Sequence, residues 1–169
     1  MKKTLVALIC ALVIAGCASY NGRGMKPGIS TVDDVIQLMG QPAMRWQEPG
    51  GGELLAYPRG PAGFDTFMVM IDSKGVMSSL QGVLDMRHFA LIRQGMTKDE
   101  VLRILGPSQP QWTVFFERRD ELVWEWRYCD AWNEPARFNV LFDNTTGLVR
   151  STQSYTESML RRFREVCSR

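Results

Sequence analysis

The stretch "GMTKDEVLRILGP", Gly95 to Pro107, has an imperfect twin in "GISTVDDVIQLMGQP", Gly28 to Pro42, and the 66-residue offset between their helices constrains the fold more than any other feature. Thr31 and Asp34 answer Thr97 and Glu100, while Val35, Leu38, Met39 and Gly40 answer Val101, Ile104, Leu105 and Gly106. Thr97 is placed to cap free backbone N–H groups while Glu100 reaches back to complete a capping box; Asp34, one methylene shorter, is the weaker version. The apolar positions fall three and four apart and make one buried stripe. Gly40 and Gly106 suit left-handed C-caps, and Pro42 and Pro107 prevent continuation. Helices of two to three turns do not persist alone, so each must rest on something flat and apolar.

Both copies supply that surface downstream. The first offers "AMRWQE" at Ala43 to Glu48 as a weak strand, "ELLAYP" at Glu53 to Pro58, and "TFMVMIDSKGVMSSL" at Thr66 to Leu80. The second offers "WTVFFE" at Trp112 to Glu117, "ELVWEWRY" at Glu121 to Tyr128, and "RFNVLFDNTTGLVRSTQ" at Arg137 to Gln153. Turn residues at Asp72 to Gly75 and Asp143 to Gly147 predict a hairpin in each. The expected fold class is α+β: two tandem small units, each with short helices packed on a roughly three-stranded antiparallel sheet. The first unit spans residues 28–82 and the second 83–155. "VLDMRHFALIRQ", Val83 to Gln94, reads as an amphipathic helix with Leu84, Phe89 and Ile92 inward. Residues 156–169 read as a C-terminal helix carrying Met159, Leu160, Phe163, Val166 and Cys167 on one stripe.

The first residues, "MKKTLVALICALVIAGC", join two lysines to an apolar run from Leu5 to Ala15, too short to span a bilayer as a mature helix. "IAGC" resembles a bacterial lipobox, which implies a signal peptide over residues 1–16, acylation of Cys17 and a tether over residues 17–27. The alternative is an ordinary signal cut near Ala18. In a Gram-negative envelope, Ala18 in place of an aspartate points to lipid anchoring on the periplasmic face of the outer membrane. Removing the signal takes Lys2 and Lys3, leaving 18 basic and 18 acidic side chains, so no global charge argues for nucleic acid. Two cysteines, Cys129 and Cys167, then remain able to react. Pairing them closes a loop of about 38 residues, worth about 4 kcal/mol in the chain-entropy model; two buried free thiols are the alternative.

The residues show no catalytic set. His88 is the one histidine and has Asp85 three positions before it, an ordinary helix-surface pairing. One histidine with two distant cysteines lacks the close ligand pairs of a zinc site. "EPGGGEL" has neither the lysine nor the hydroxyl of a phosphate loop. Asp33–Asp34 and Asp99–Glu100 sit in first helical turns, where caps and the helix dipole account for them. The surplus is aromatic. Alternation puts Trp124 and Trp126 on one sheet face, either as core or as an exposed platform for a protein partner. In the platform reading, Trp132, Arg118, Arg119 and Arg127 form its rim. "RRFR", Arg161 to Arg164, is either a solvated helix face or a contact for anionic headgroups or an acidic partner.

"IRQGMTKDEVLRILGP" resembles the signature of the SmpA/OmlA, or BamE-like, family of small outer-membrane lipoproteins. Ile92, Gly95, Met96, Thr97, Glu100, Val101, Leu105 and Gly106 match, while Pro107 comes one position early and Ser30 stands where the twin should have methionine. The resemblance implies helices on an antiparallel sheet and an accessory role in β-barrel assembly at the outer membrane. The tandem arrangement departs from that one-domain family and resembles β-lactamase inhibitory proteins. The expectation is therefore a non-enzymatic outer-membrane lipoprotein, without cofactor or metal, binding protein partners in outer-membrane protein assembly or envelope integrity. The alternative is an inhibitor or specific ligand of a periplasmic or secreted enzyme.

Overall fold

A computed structural model describes residues 22–159 and 166–167. The signal segment, Cys17 and the start of the tether lie outside them. The elements run α1 (Val32–Met39), β1 (Met44–Gln47), β2 (Glu53–Pro58), β3 (Thr66–Ile71), β4 (Met77–Gly82), α2 (Met86–Phe89), α3 (Lys98–Leu105), β5 (Val114–Phe116), β6 (Glu121–Cys129), β7 (Pro135–Asp143) and β8 (Val149–Thr156).

The twin signatures build twin structures. Both capping boxes form, Thr31 N–H donating to Asp34 at 2.8 Å and Thr97 N–H to Glu100 at 2.7 Å, so the shorter aspartate suffices. Thr31 bridges to Val76 and Thr97 to Leu148, just before the last strand of each unit. Gly28 N–H donates to Met77 O and Gly95 N–H to Val149 O, while Met77 N–H and Val149 N–H return bonds to Ser30 O and Met96 O. Ser30 thus occupies the place of Met96, and the extra residue of the first copy is absorbed between its glycine and that contact. Gly40 and Gly106 do have positive φ, 83° and 68°, but their ψ values of −169° and −174° are extended. These caps turn the chain sharply away from the helix instead of taking the left-handed helical form expected.

Each unit is an α+β structure with a purely antiparallel sheet, ordered β1-β2-β3-β4 and β5-β6-β7-β8. The sheets have four strands where roughly three were expected. The edge strands β1 and β5, of four and three residues, form inside the expected segments "AMRWQE" and "WTVFFE"; together with "ELLAYP" or "ELVWEWRY" and the two arms of each hairpin they make the fourth strand that the rough count of three left out. The helix expected over Val83 to Gln94 is only the four residues of α2. Beyond it Leu91 N–H bonds to His88 O and Ile92 N–H to Phe89 O, i→i−3 bonds that tighten the chain out of α geometry while still delivering Phe89 and Ile92 to the core. The expected C-terminal helix begins differently: β8 continues to Thr156 and a 3₁₀ turn occupies Glu157–Met159. Residues 160–165 and 168–169 lie outside the described residues.

The two units stack. On one face of the first sheet, Leu55, Tyr57, Val69 and Ile71 pack against Val35 and Met39 of α1. Its other face, with Trp46, Leu54, Ala56 and Met68, packs against Leu84 and against Leu102 of α3. α3 serves both sheets: Val101 and Leu105 turn to Trp126, Phe138, Val140 and Phe142 of the second sheet. Toward the first, Asp99 accepts from Trp46 Nε1 at 2.9 Å, and Arg103 pairs with Glu48 at 2.6 Å while lying over the Trp46 ring. The layer order is α1, first sheet, α2 with α3, second sheet. Burial of the apolar area on both faces of α3 is what holds the units together.

Candidate protein-binding surface

In this layer order the inner face of the second sheet is spoken for. Trp126 is 1% exposed, packs in the core and donates through Nε1 to Gly106 O at 3.1 Å. Trp124 is half-buried, edge-on to Phe142 at 4.8 Å and with the Lys98 ammonium 5.9 Å from its ring. Of the two readings, core or exposed platform, the structure takes the core: α3 covers the face that the two tryptophans share.

Arg127 is also withdrawn from the expected rim. Its guanidinium lies 4.4 Å from the Phe64 ring and grips Glu157 through two bonds, Nε at 2.7 Å and Nη2 at 2.9 Å. Glu157 also accepts from Arg137, which pairs with Glu125 and stacks on Trp112 at 3.7 Å; Tyr155 completes the set by donating to Glu125 at 2.8 Å. Burial alone would raise the Glu157 carboxyl, but the hydrogen bonds and charges of Arg127 and Arg137 outweigh it and hold the group below its ordinary range. The network ties β6, β7 and β8 to the 3₁₀ turn. Every carboxylate in it already holds a cation.

Among the described strands of the second sheet, the one that still exposes large apolar side chains along an edge is β5. Val114, Phe115 and Phe116 are 43%, 49% and 41% exposed, an apolar run on a strand paired only with β6. Among the described residues no strand lies along its outer side. Arg118 is exposed beside it, and Arg119 lies 4.3 Å over the Phe116 ring while pairing with Glu121 at 2.8 Å. Arg150 donates to Arg119 O at 2.7 Å and fixes this corner. The arginine pair predicted from sequence thus flanks an aromatic edge, but the aromatics are Phe115 and Phe116. Nothing in a three-residue strand distinguishes an edge from an interior position; the only signal is local, a short apolar triplet followed at once by "ERRD".

Trp132, 80% exposed, stands far from that edge, in the β6–β7 turn. There Cys129 and Cys167 form a disulfide-capable pair with Cα atoms 6.0 Å apart, in the bonded arrangement. At the junction of the units a cleft of about 730 Å³ is lined by Arg23, Arg59, Phe64, Asp65, Leu84 and Cys129. His88 sits in α2, its Nδ1 2.8 Å from Asp85. Burial would raise the Asp85 carboxyl, but hydrogen bonds from His88 and Arg87 hold it far below the usual carboxylate range. Asp85 is the N-cap of α2, so the pair stabilises a short helix. Among the described residues no group of three or more His, Cys, Asp or Glu side chains is arranged to hold a metal, and no helix is long and apolar enough to cross a membrane. Comparison of the chain with protein-family models, curated proteins and solved structures finds no match.

Proposed function

We propose that this chain is a non-enzymatic lipoprotein anchored through Cys17 on the periplasmic face of the outer membrane, and that it binds protein partners in the assembly or upkeep of that membrane. The resemblance of residues 92–107 to the BamE-like signature supports the envelope role. The observation that carries protein binding is the exposed apolar edge of β5, flanked by Arg118 and Arg119. Natural sheets blunt or cover such edges, because an unpaired strand with apolar side chains is a template for another chain. Strand addition along β5 would satisfy the unpaired backbone while Phe115 and Phe116 supply aromatic contact on opposite faces.

The test is a photo-crosslinking residue placed at Phe115 or Phe116 in intact cells, with mass spectrometry of the adducts and a matched probe at buried Val140 as control. Adducts with components of the β-barrel assembly machinery are the expected result. A single soluble hydrolase would replace the assembly role by an inhibitory one, and edge probes that trap no more than the control would end the protein-binding reading.

A further inference from the structure

We infer that the end of the second sheet bearing the β6–β7 turn is a bilayer-facing surface, seated at the headgroup level through Trp132, Met159 and Val166. The inference rests on the reading of Cys17 as acylated. Three exposed apolar side chains collect at this end: Trp132 at 80%, Met159 at 76% and Val166 at 70%. Their neighbourhood follows from the contacts around the turn. Cys167 N–H donates to Asn133 O at 2.9 Å, next to Trp132, and Ser158, next to Met159, reaches Glu134 at 3.4 Å.

The turn is built to present an indole. Asp130 Oδ1 accepts from the N–H groups of Trp132 and Glu134, both at 2.8 Å; Asp130 N–H bonds to Glu134 O, and the cysteine pair at positions 129 and 167 ties its base. A large ring held in water on so constrained a loop loses little further freedom when it is covered, which favours binding. Tryptophan, with an apolar body and one N–H donor, suits the region between headgroups and acyl chains. The acidic groups here are already engaged, Asp130 with the turn's own backbone and Glu134 with Ser158.

Chain length brings the same end to the membrane. Arg23 and Cys129 line one cleft, and six peptide units separate Cys17 from Arg23, a span of at most roughly 20 Å. Acylation of Cys17 therefore holds Arg23, and the cleft it lines, within roughly 20 Å of the bilayer. β5 pairs with the first three residues of β6, whereas the turn follows its last. The six residue steps from Val123 to Cys129 put about 20 Å between the two. Membrane contact and the β5 edge thus fall at opposite ends of the second sheet, which leaves the edge open to the periplasm.

The experiment uses the full precursor, matured in a Gram-negative host and reconstituted into phosphatidylethanolamine–phosphatidylglycerol vesicles with or without brominated acyl chains. Brominated lipid should quench a component of the tryptophan emission in wild type that is missing in Trp132→Phe. Mass spectrometry of the N-terminal peptide reports acylation separately. An acylated protein whose quenching is the same in wild type and Trp132→Phe overturns the bilayer-facing surface and leaves the lipoprotein reading standing. An unacylated N-terminus removes the premise, and both readings fall together.

Discussion

Substituting alanine at Gly40 and at Gly106 gives a comparison that isolates the stacking of the two units. Both residues end their helices with the same backbone, positive φ and extended ψ, a region almost confined to glycine. Each substitution should therefore cost about 1–3 kcal/mol in backbone strain alone. Their surroundings differ. A Cβ at Gly40 meets nothing within 4 Å, whereas one at Gly106 comes to 2.6 Å from Thr66 Cγ2 and 3.5 Å from the Ala56 Cβ, both on the first sheet. Thr66 is 2% exposed and β-branched, so it has little room to turn aside. Overpacking of this kind adds about 1–3 kcal/mol. With a urea m-value of about 2 kcal/mol/M for a fold of this size, the midpoint of Gly106→Ala should lie roughly 0.5–1.5 M below that of Gly40→Ala. Equal midpoint shifts at equal m-values would refute the placement of the α3 terminus against the first sheet.

The charged network gives a second expectation. Glu157→Gln keeps the shape but leaves Arg127 and Arg137 without their shared anion, at a side chain only 4% exposed, and should cost about 3 kcal/mol in urea unfolding at neutral pH. Because the folded-state value of Glu157 is depressed, its contribution is complete above the unfolded carboxyl value near ~4.3 and fades as pH falls through the lower folded value; wild type and variant should converge in that acid range. Reducing the bond between Cys129 and Cys167, 38 positions apart, should remove about 4 kcal/mol and make two thiols labelable, compared with a double-serine variant insensitive to reductant. Phe115→Glu, at an exposed edge position, should shift unfolding by no more than about 0.5 kcal/mol while abolishing edge crosslinks. A large loss of stability would mean that Phe115 is part of the core.

Local features were legible because local physics decides them. Thr31 with Asp34 and Thr97 with Glu100 form capping boxes from residues three apart, and Gly40 and Gly106 end the helices at positive φ, though with extended ψ in place of the left-handed form expected. "ELLAYP" is a strand over the residues expected, and the cysteine pair meets within the reach a disulfide needs. Periodicity also gave Val101 and Leu105 an inward face. It could not say that the opposite side of the same helix, through Asp99, Leu102 and Arg103, lies against a second sheet. The charged residues there look solvated in a one-dimensional pattern, yet meet Trp46 and Glu48 more than fifty positions away.

The roles of the aromatics turned on that same contact. Alternation put Trp124 and Trp126 on one face but was silent on which face α3 would cover, since both choices satisfy a period of two. The packing of α3 resolves it: Trp126 is core, Arg127 is bound by Glu157, and exposure passes to Phe115, Phe116 and Trp132, at a sheet edge and a turn. The sequence by itself determined two copies of a capped helix on an antiparallel sheet, because caps, stripes and turns are short-range. Tertiary structure alone decided which apolar faces are shared between copies, because burial depends on what each face meets in space.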